Sequence, residues 1–334
     1  MGEHLGTAGG AEDKSEYRVE DYFCDEDLLD DIIFIFKEVD QPAHDGDKQL
    51  QDLRSVFAEN ILAAFFTAST LPVFARRTAF ETGYMTMFGI TMTADLHSTT
   101  AEERIKKARE KLEKTIGETE WGKKLEEMAV VTAKGYLGKF ISDRPGREAI
   151  GQIMNQCAVL VWSSFEILAS DVFVSLLNRK PSLVGSLLNA ENTKKYYREK
   201  ELAASLAEYN YDLSQHMGEA LIQQRRLDDL IAIKNVYAAL LDKSAVLQNT
   251  LNDGHLWRLY KTRNLIVHRA GVVDALFQKE TGNTTPLGTK LRVTPSELKT
   301  FLILVGRAGG ELVEAATSII QGKPWSLTQG VKPA

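Results

Sequence analysis

The stretch "LWRLYKTRNLIVHRAGVVD", Leu256 to Asp274, decides how the second half of this 334-residue chain is read. Arg258, Lys261, Arg263, His268 and Arg269 crowd it with no acid among them, although the net charge of the chain is -6. Its pattern is that of a half-buried helix. "NDG" (Asn252 to Gly254) breaks the chain just before it and offers Asp253 as an N-cap. On such a helix Asn264 and His268, four residues apart, share one face. Arg263 and His268 are five apart, which sets them roughly 140° from one another around an axis of 3.6 residues per turn. One helix alone therefore does not close this pair into a compact site. A second copy, related by a two-fold axis beside the helix, would bring two histidines and two arginines into one cleft.

Outward from this helix the chain reads as helical in both directions. A polar loop, "QKETGNTTPLGTK", follows it, and then "TPSELKTFLILVGRAGGELVEAATSII", which opens with Thr294 or Ser296 in capping position. Upstream, a long apolar helix, "REAIGQIMNQCAVLVWSSFEILASDVFVSLLNRKP", presents Val161, Phe165, Leu168, Val172 and Leu176 as a wide buried face and ends at Pro181. Helical patterns continue in "PSLVGSLLNA", "TKKYYREKELAASLAEYNY" and "RLDDLIAIKNVYAALLDK". "ISDRPGRE" punctuates the chain and places a domain boundary at 142/143.

Before that boundary, "EWGKKLEEMAVVTAKGYLGKF" and "STTAEERIKKAREKLEKT" read as helices, the latter capped by Ser98, Thr99 or Thr100. "DEDLLDDIIFIFKEVD" reads as another, with acids at its front. A further helix is expected from about Lys48 to Leu71, ending before Pro72. Only "ETGYMTMFGITMTADLH" has a β flavour, with Tyr84, Thr86, Phe88, Ile90 and Met92 in alternation. The expected fold is all-α. An antiparallel helical bundle spans 143–321, preceded by a mostly helical region, 26–142, with a mobile tail over 1–25 and a C-terminal tail over 322–334.

Composition narrows the function. An acidic chain is a poor non-specific coat for nucleic acid, though a local basic patch still binds phosphate. Cys24 and Cys157 fit no metal spacing, so no metal or other cofactor is expected, and a reduced cytoplasmic setting is the simplest reading. The N-terminus lacks a secretory pattern, and Gly6 stands where a myristoylation signal needs Ser or Thr. The longest apolar run, Ile61 to Ala75, is too short to span a bilayer, so no membrane partner is expected. CxxC, HExxH, GxSxG and a glycine-rich phosphate loop after a strand are all missing from the sequence, which sets aside zinc proteases, P-loop enzymes and α/β-hydrolases.

What remains is Arg263, Asn264 and His268 in "RNLIVHRAGVVD". With its polar residue after the arginine and its His-Arg-x-Gly exit, this segment resembles the motif helix of the HEPN superfamily, the higher eukaryote and prokaryote nucleotide-binding domains. The family pattern is Arg, four to six residues, then His, with Asn, Asp or His favoured after the Arg. The resemblance covers about half the chain and includes an earlier helix with an embedded glutamate, here Glu166 in "WSSFEILASD". It implies an α-helical bundle that dimerises so that the two motifs meet. Many members are metal-independent endoribonucleases, and others only bind. One branch of toxins carries a tyrosine two residues after the histidine. Here that position is Ala270, which argues against an antitoxin that modifies such a tyrosine.

The residue types suit cleavage of RNA by its own ribose. A neutral His268 can take the 2′-OH proton, while a protonated one from the second copy gives a proton to the leaving 5′-oxygen. Arg263 can brace the phosphorane. Asn264 can orient the histidine or a phosphate oxygen. Glu166, beside the apolar stripe, needs a cation, and Arg263 or Arg258 can supply it. Arg258, Lys261 and Arg269 are candidates to guide the RNA backbone. The expected partners are RNA, a second copy of the chain, and an antitoxin or regulatory protein. The rival readings are a non-catalytic module binding RNA, a nucleotide or a protein, and a structural dimerisation domain. For Tyr196, Tyr197, Tyr209 and Tyr211, packing competes with base stacking.

Overall fold

The computed structural model describes residues 18–23, 47–94, 100–117, 119–241 and 244–322. The helix expected over Asp25 to Asp40, Cys24, the remainder of the N-terminal tail and the C-terminal tail beyond Gly322 lie outside these residues. The described residues are all-α. They form twelve α-helices, and the only β feature among them is an isolated antiparallel bridge between Val272 and Lys290. In chain order the helices are α1 (Lys48–Ala94), α2 (Ala101–Gly117), α3 (Thr119–Ile141), α4 (Arg144–Arg179), α5 (Val184–Asn189) and α6 (Glu199–Ser205). Then come α7 (Met217–Gln224), α8 (Leu230–Leu240), α9 (Ala245–Leu251), α10 (Gly254–Arg269), α11 (Ala275–Thr281) and α12 (Pro295–Gln321).

The chain divides into two compact units, one holding residues up to Phe23 and Thr70–Ile150, the other Cys24–Ser69 and Gly151 onward. On one side the division falls at 150/151, within α4, eight residues beyond the expected 142/143. On the other side, residues 47–69 join the C-terminal unit.

Two expectations upstream are corrected. The helix that was to end before Pro72 runs through it to Ala94, and the stretch with β flavour forms about its last four turns, residues 95–97 of it lying outside the described residues. In that stretch the half-buried positions pair as Gly83 with Tyr84, Met87 with Phe88 and Thr91 with Met92, a helical spacing that the two-residue alternation obscured. Ala79 packs with Ala129 and Ala133 of α3, flanked by Ala75 and Phe80, so small residues bring the two helices close. Over Lys48–Thr93, and again in α4, the chain is long and apolar enough to cross a membrane by length and composition. The core helix of a folded domain has the same length and composition, and 39% and 56% of the two apolar windows are buried here.

The second unit is built on α4. Trp162, Phe165, Leu168, Val172, Phe173 and Leu176 are sealed from solvent, and a helix of this length, stopped at Arg179 by the approach to Pro181, can serve as the unit's spine. A Cβ placed on Gly309 of α12 would stand 2.3 Å from the Phe57 ring of α1, so a glycine is what lets these helices touch. α12 starts with a capping box. The Thr294 hydroxyl accepts from the Glu297 N–H, and the Glu297 carboxylate accepts from the Thr294 N–H. Asn155, buried on α4, clamps the segment before α12 with two bonds. Its amide donates to the Leu291 carbonyl at 2.9 Å and its carbonyl accepts from the Val293 N–H at 3.0 Å.

Candidate functional site

α10 carries the site and is fixed at both ends. Asp253 caps it, its carboxylate accepting from the His255 N–H at 2.7 Å. At the exit Ala270 and Gly271 take left-handed conformations, φ 51° and 76°, and the Gly271 N–H returns to the Leu265 carbonyl at 3.1 Å. The following strand-like segment is held by Val273 donating to the Thr289 carbonyl and Leu291 donating to the Gly271 carbonyl. Leu256, Leu259, Thr262, Leu265 and Ile266 form the buried face of α10, which packs on α11 and α12.

Arg263 is half-buried and anchored across to α4. Its Nη2 lies 3.4 Å from Glu166 Oε2, its Nη1 donates to Asn264 Oδ1 at 3.1 Å, and its buried Nε has no partner among the described residues. Trp162, one turn before Glu166, donates its indole N–H to the same carboxylate oxygen at 3.0 Å. Burial pushes the Glu166 carboxyl above the ordinary glutamate range. Arg263, the Trp162 indole and Arg226 counter the rise, and Asp228 adds to it. The sequence left open whether Arg263 or Arg258 would meet Glu166, and the structure assigns it to Arg263. It also adds Trp162 to the group. The signal for it in the sequence is its spacing of four from Glu166 on one helix.

His268 stands exposed in the last turn of α10, next to the exposed Val267 and Arg269. The three cations expected to guide a backbone each have a carboxylate of this chain beside them. Arg258 pairs with Glu297, Lys261 with Glu280 at 2.8 Å, and Arg269 with Asp274. Lys261 also lies over the Trp257 ring, 4.5 Å from its centroid. The acid-free run of the sequence is therefore balanced in space: acids from α11, α12 and the α10–α11 turn, together with Glu166, meet every lysine and arginine of α10. No group of three or more His, Cys, Asp or Glu side chains among the described residues is arranged to hold a metal.

The tyrosines divide. Tyr197 is buried and stacked on Phe173, a packing role. Both Lys195 and Arg225 lie over the Tyr196 ring, Tyr209 stacks on His216, and Tyr211 is 78% exposed.

Comparison with protein-family models, with curated proteins and with solved structures found no match.

Proposed function

We propose that the second unit is a HEPN-like helical module and that the chain acts in the cytoplasm as a metal-independent endoribonuclease. The observation that supports this is the pairing on one capped helix of an exposed imidazole, His268, with a guanidinium, Arg263, held in place by Glu166 and Asn264. A catalytic arginine gains from being fixed before substrate arrives, because ordering it then costs nothing at the moment of reaction. The two groups stand five positions apart, roughly 140° around the helix, so the working site is shared by two copies. His268 accepts the 2′-OH proton as the ribose oxygen attacks phosphorus, the P–O5′ bond breaks, and the partner subunit's His268 protonates the leaving oxygen. Arg263 stabilises the charged phosphorane, and the product ends in a 2′,3′-cyclic phosphate. The nucleophile belongs to the RNA, so the scheme requires no metal. A role in stress response or defence, and control by an antitoxin or regulatory partner, follow only from the family likeness.

The test is incubation of full-length protein with total RNA in chelator, with product ends mapped. Wild type is expected to leave cyclic phosphates. His268→Ala and Arg263→Ala should each lower the rate by about 10²-fold or more while keeping the wild-type helical signal. Cleavage that persists in both variants overturns the assignment.

One observation favours a second reading, a non-catalytic RNA- or nucleotide-binding module. Every lysine and arginine of α10 already has a carboxylate, so phosphate must compete for each of them. Under that reading wild type yields no cyclic ends, and affinity survives in His268→Ala.

A further inference from the structure

In the unit formed by residues 18–23 and 70–150, seven large apolar side chains are buried among the described residues and ten are exposed. The rest of its buried apolar side chains are alanines. Exposed apolar side chains are ordinary one by one and mark a contact surface where several share a face. Part of this surface is one face of α1. Phe74 and Met85 on it are 67% and 61% exposed, and with Thr78 and Glu81 they fall within about 60° of one another around the helix. Gly89 continues the same seam with open space where a side chain would be. The middle of the face carries charge: Arg77 Nε donates to Glu81 at 2.9 Å.

We infer that this face of α1 docks on the same face of a second copy, antiparallel, about a two-fold axis between Thr78 and Glu81. The charges select both the occupant and its direction. Run antiparallel, Phe74 meets the partner's Met85, Glu81 lies opposite the partner's Thr78, and Arg77 reaches the partner's Glu81. Run parallel, Glu81 faces Glu81 and Arg77 faces Arg77, which is repulsive. A bilayer is disfavoured as the occupant, because Arg77 and Glu81 would sit in hydrocarbon at the centre of the face. Thr78, Thr82 and Thr86 suit close helix approach, since they are small and two of them satisfy their hydroxyls internally. Thr82 Oγ1 donates to the Thr78 carbonyl and Thr86 Oγ1 to the Thr82 carbonyl, both at 2.8 Å. The ribonuclease assignment calls for its own pairing through α10 of the other unit, so the α1 contact is read below by substitutions and crosslinks on α1 itself.

The test uses the full chain. Sedimentation velocity at micromolar concentration should show wild-type self-association through α1, as a dimer, or as a tetramer where α10 pairs as well. Met85→Glu and Arg77→Glu should each raise its dissociation constant by about ten-fold or more, with the helical signal unchanged. The double variant Arg77→Glu, Glu81→Arg should restore dimerisation. In a Cys24→Ser background, Phe74→Cys combined with Met85→Cys should form intersubunit disulfides under mild oxidation, and neither single variant should. A monomeric wild type overturns the proposal, as do a dimer indifferent to all these substitutions, self-linking of the single cysteines, and a monomer that floats with phosphatidylcholine vesicles. None of these readouts depends on RNA cleavage, so a failed nuclease assay and a failed α1 interface remain distinguishable.

Discussion

Glu166 shows how much a single side chain in this protein depends on its surroundings. Burial against the α4 stripe favours its neutral form by more than Arg263 and the Trp162 indole favour its charged form, since the net displacement is upward. A carboxyl raised in the folded state contributes stability that is fully present below its unfolded pKa and is lost as pH rises through the folded value. Glu166→Gln copies the neutral form, so its urea midpoint should match or exceed wild type at pH 7. The difference should vanish as pH falls below the ordinary glutamate range, and a variant clearly weaker than wild type at pH 7 would show that the Arg263 pair dominates instead. Glu166→Gln should also loosen Arg263, so that RNA cleavage, if present, falls without loss of fold. A second buried group behaves differently. The Cys157 thiol is fully enclosed, and burial pushes it up to about 11. At pH 8 an alkylating reagent should leave Cys157 unmodified in native protein and modify it once urea opens the unit, as read by peptide mass. Labelling at equal rates in both states would mean that α4 opens readily.

At the scale of the element, local chemistry and packing decide different things. Asp253 and Thr294 announced the starts of α10 and α12 because capping is written in a few adjacent residues. Asp253→Ala should cost about 1 kcal/mol in a urea titration. The pairing of Glu166 with a cation was legible from the cost of burying a carboxylate, but which arginine would meet it depended on helix positions that spacing does not carry. The course of α1 beyond Pro72 was not legible. Proline and an alternating run both argue against helix locally, and the half-buried pairs from Gly83 onward overrode them through contact with α3. The contact of α1 with α12 was equally hidden, because a glycine in "GRAGGE" does not say what approaches it. Gly309→Ala drives a methyl into the Phe57 ring and should destabilise by about 1–3 kcal/mol, and Phe57→Leu should recover part of that in the double variant. Strictly additive losses would place the strain elsewhere.

Across the whole molecule, charge organisation sets the salt dependence that the proposed RNA binding should show. A chain of net charge -6 does not attract a polyanion from a distance. On α10 the intrachain acids offset the lysine and arginines, so an RNA strand meets exchangeable ion pairs in place of a bare cationic track. Counterion release then predicts a shallow salt dependence. Single-stranded RNA loses about 0.7 in the logarithmic slope for each phosphate neutralised, and contact through Arg263 alone gives a slope near that single value. Glu297→Gln and Glu280→Gln each free one cation, Arg258 and Lys261 respectively. Each should steepen the slope by about 0.7 and tighten binding most at low salt. The measurement is affinity for a single-stranded oligoribonucleotide between 50 and 200 mM salt, about the range over which such slopes are resolved. A steep slope already present in wild type would mean that cations outside α10 carry the strand. Slopes unchanged in both variants would mean that Arg258 and Lys261 stabilise the bundle and never meet phosphate.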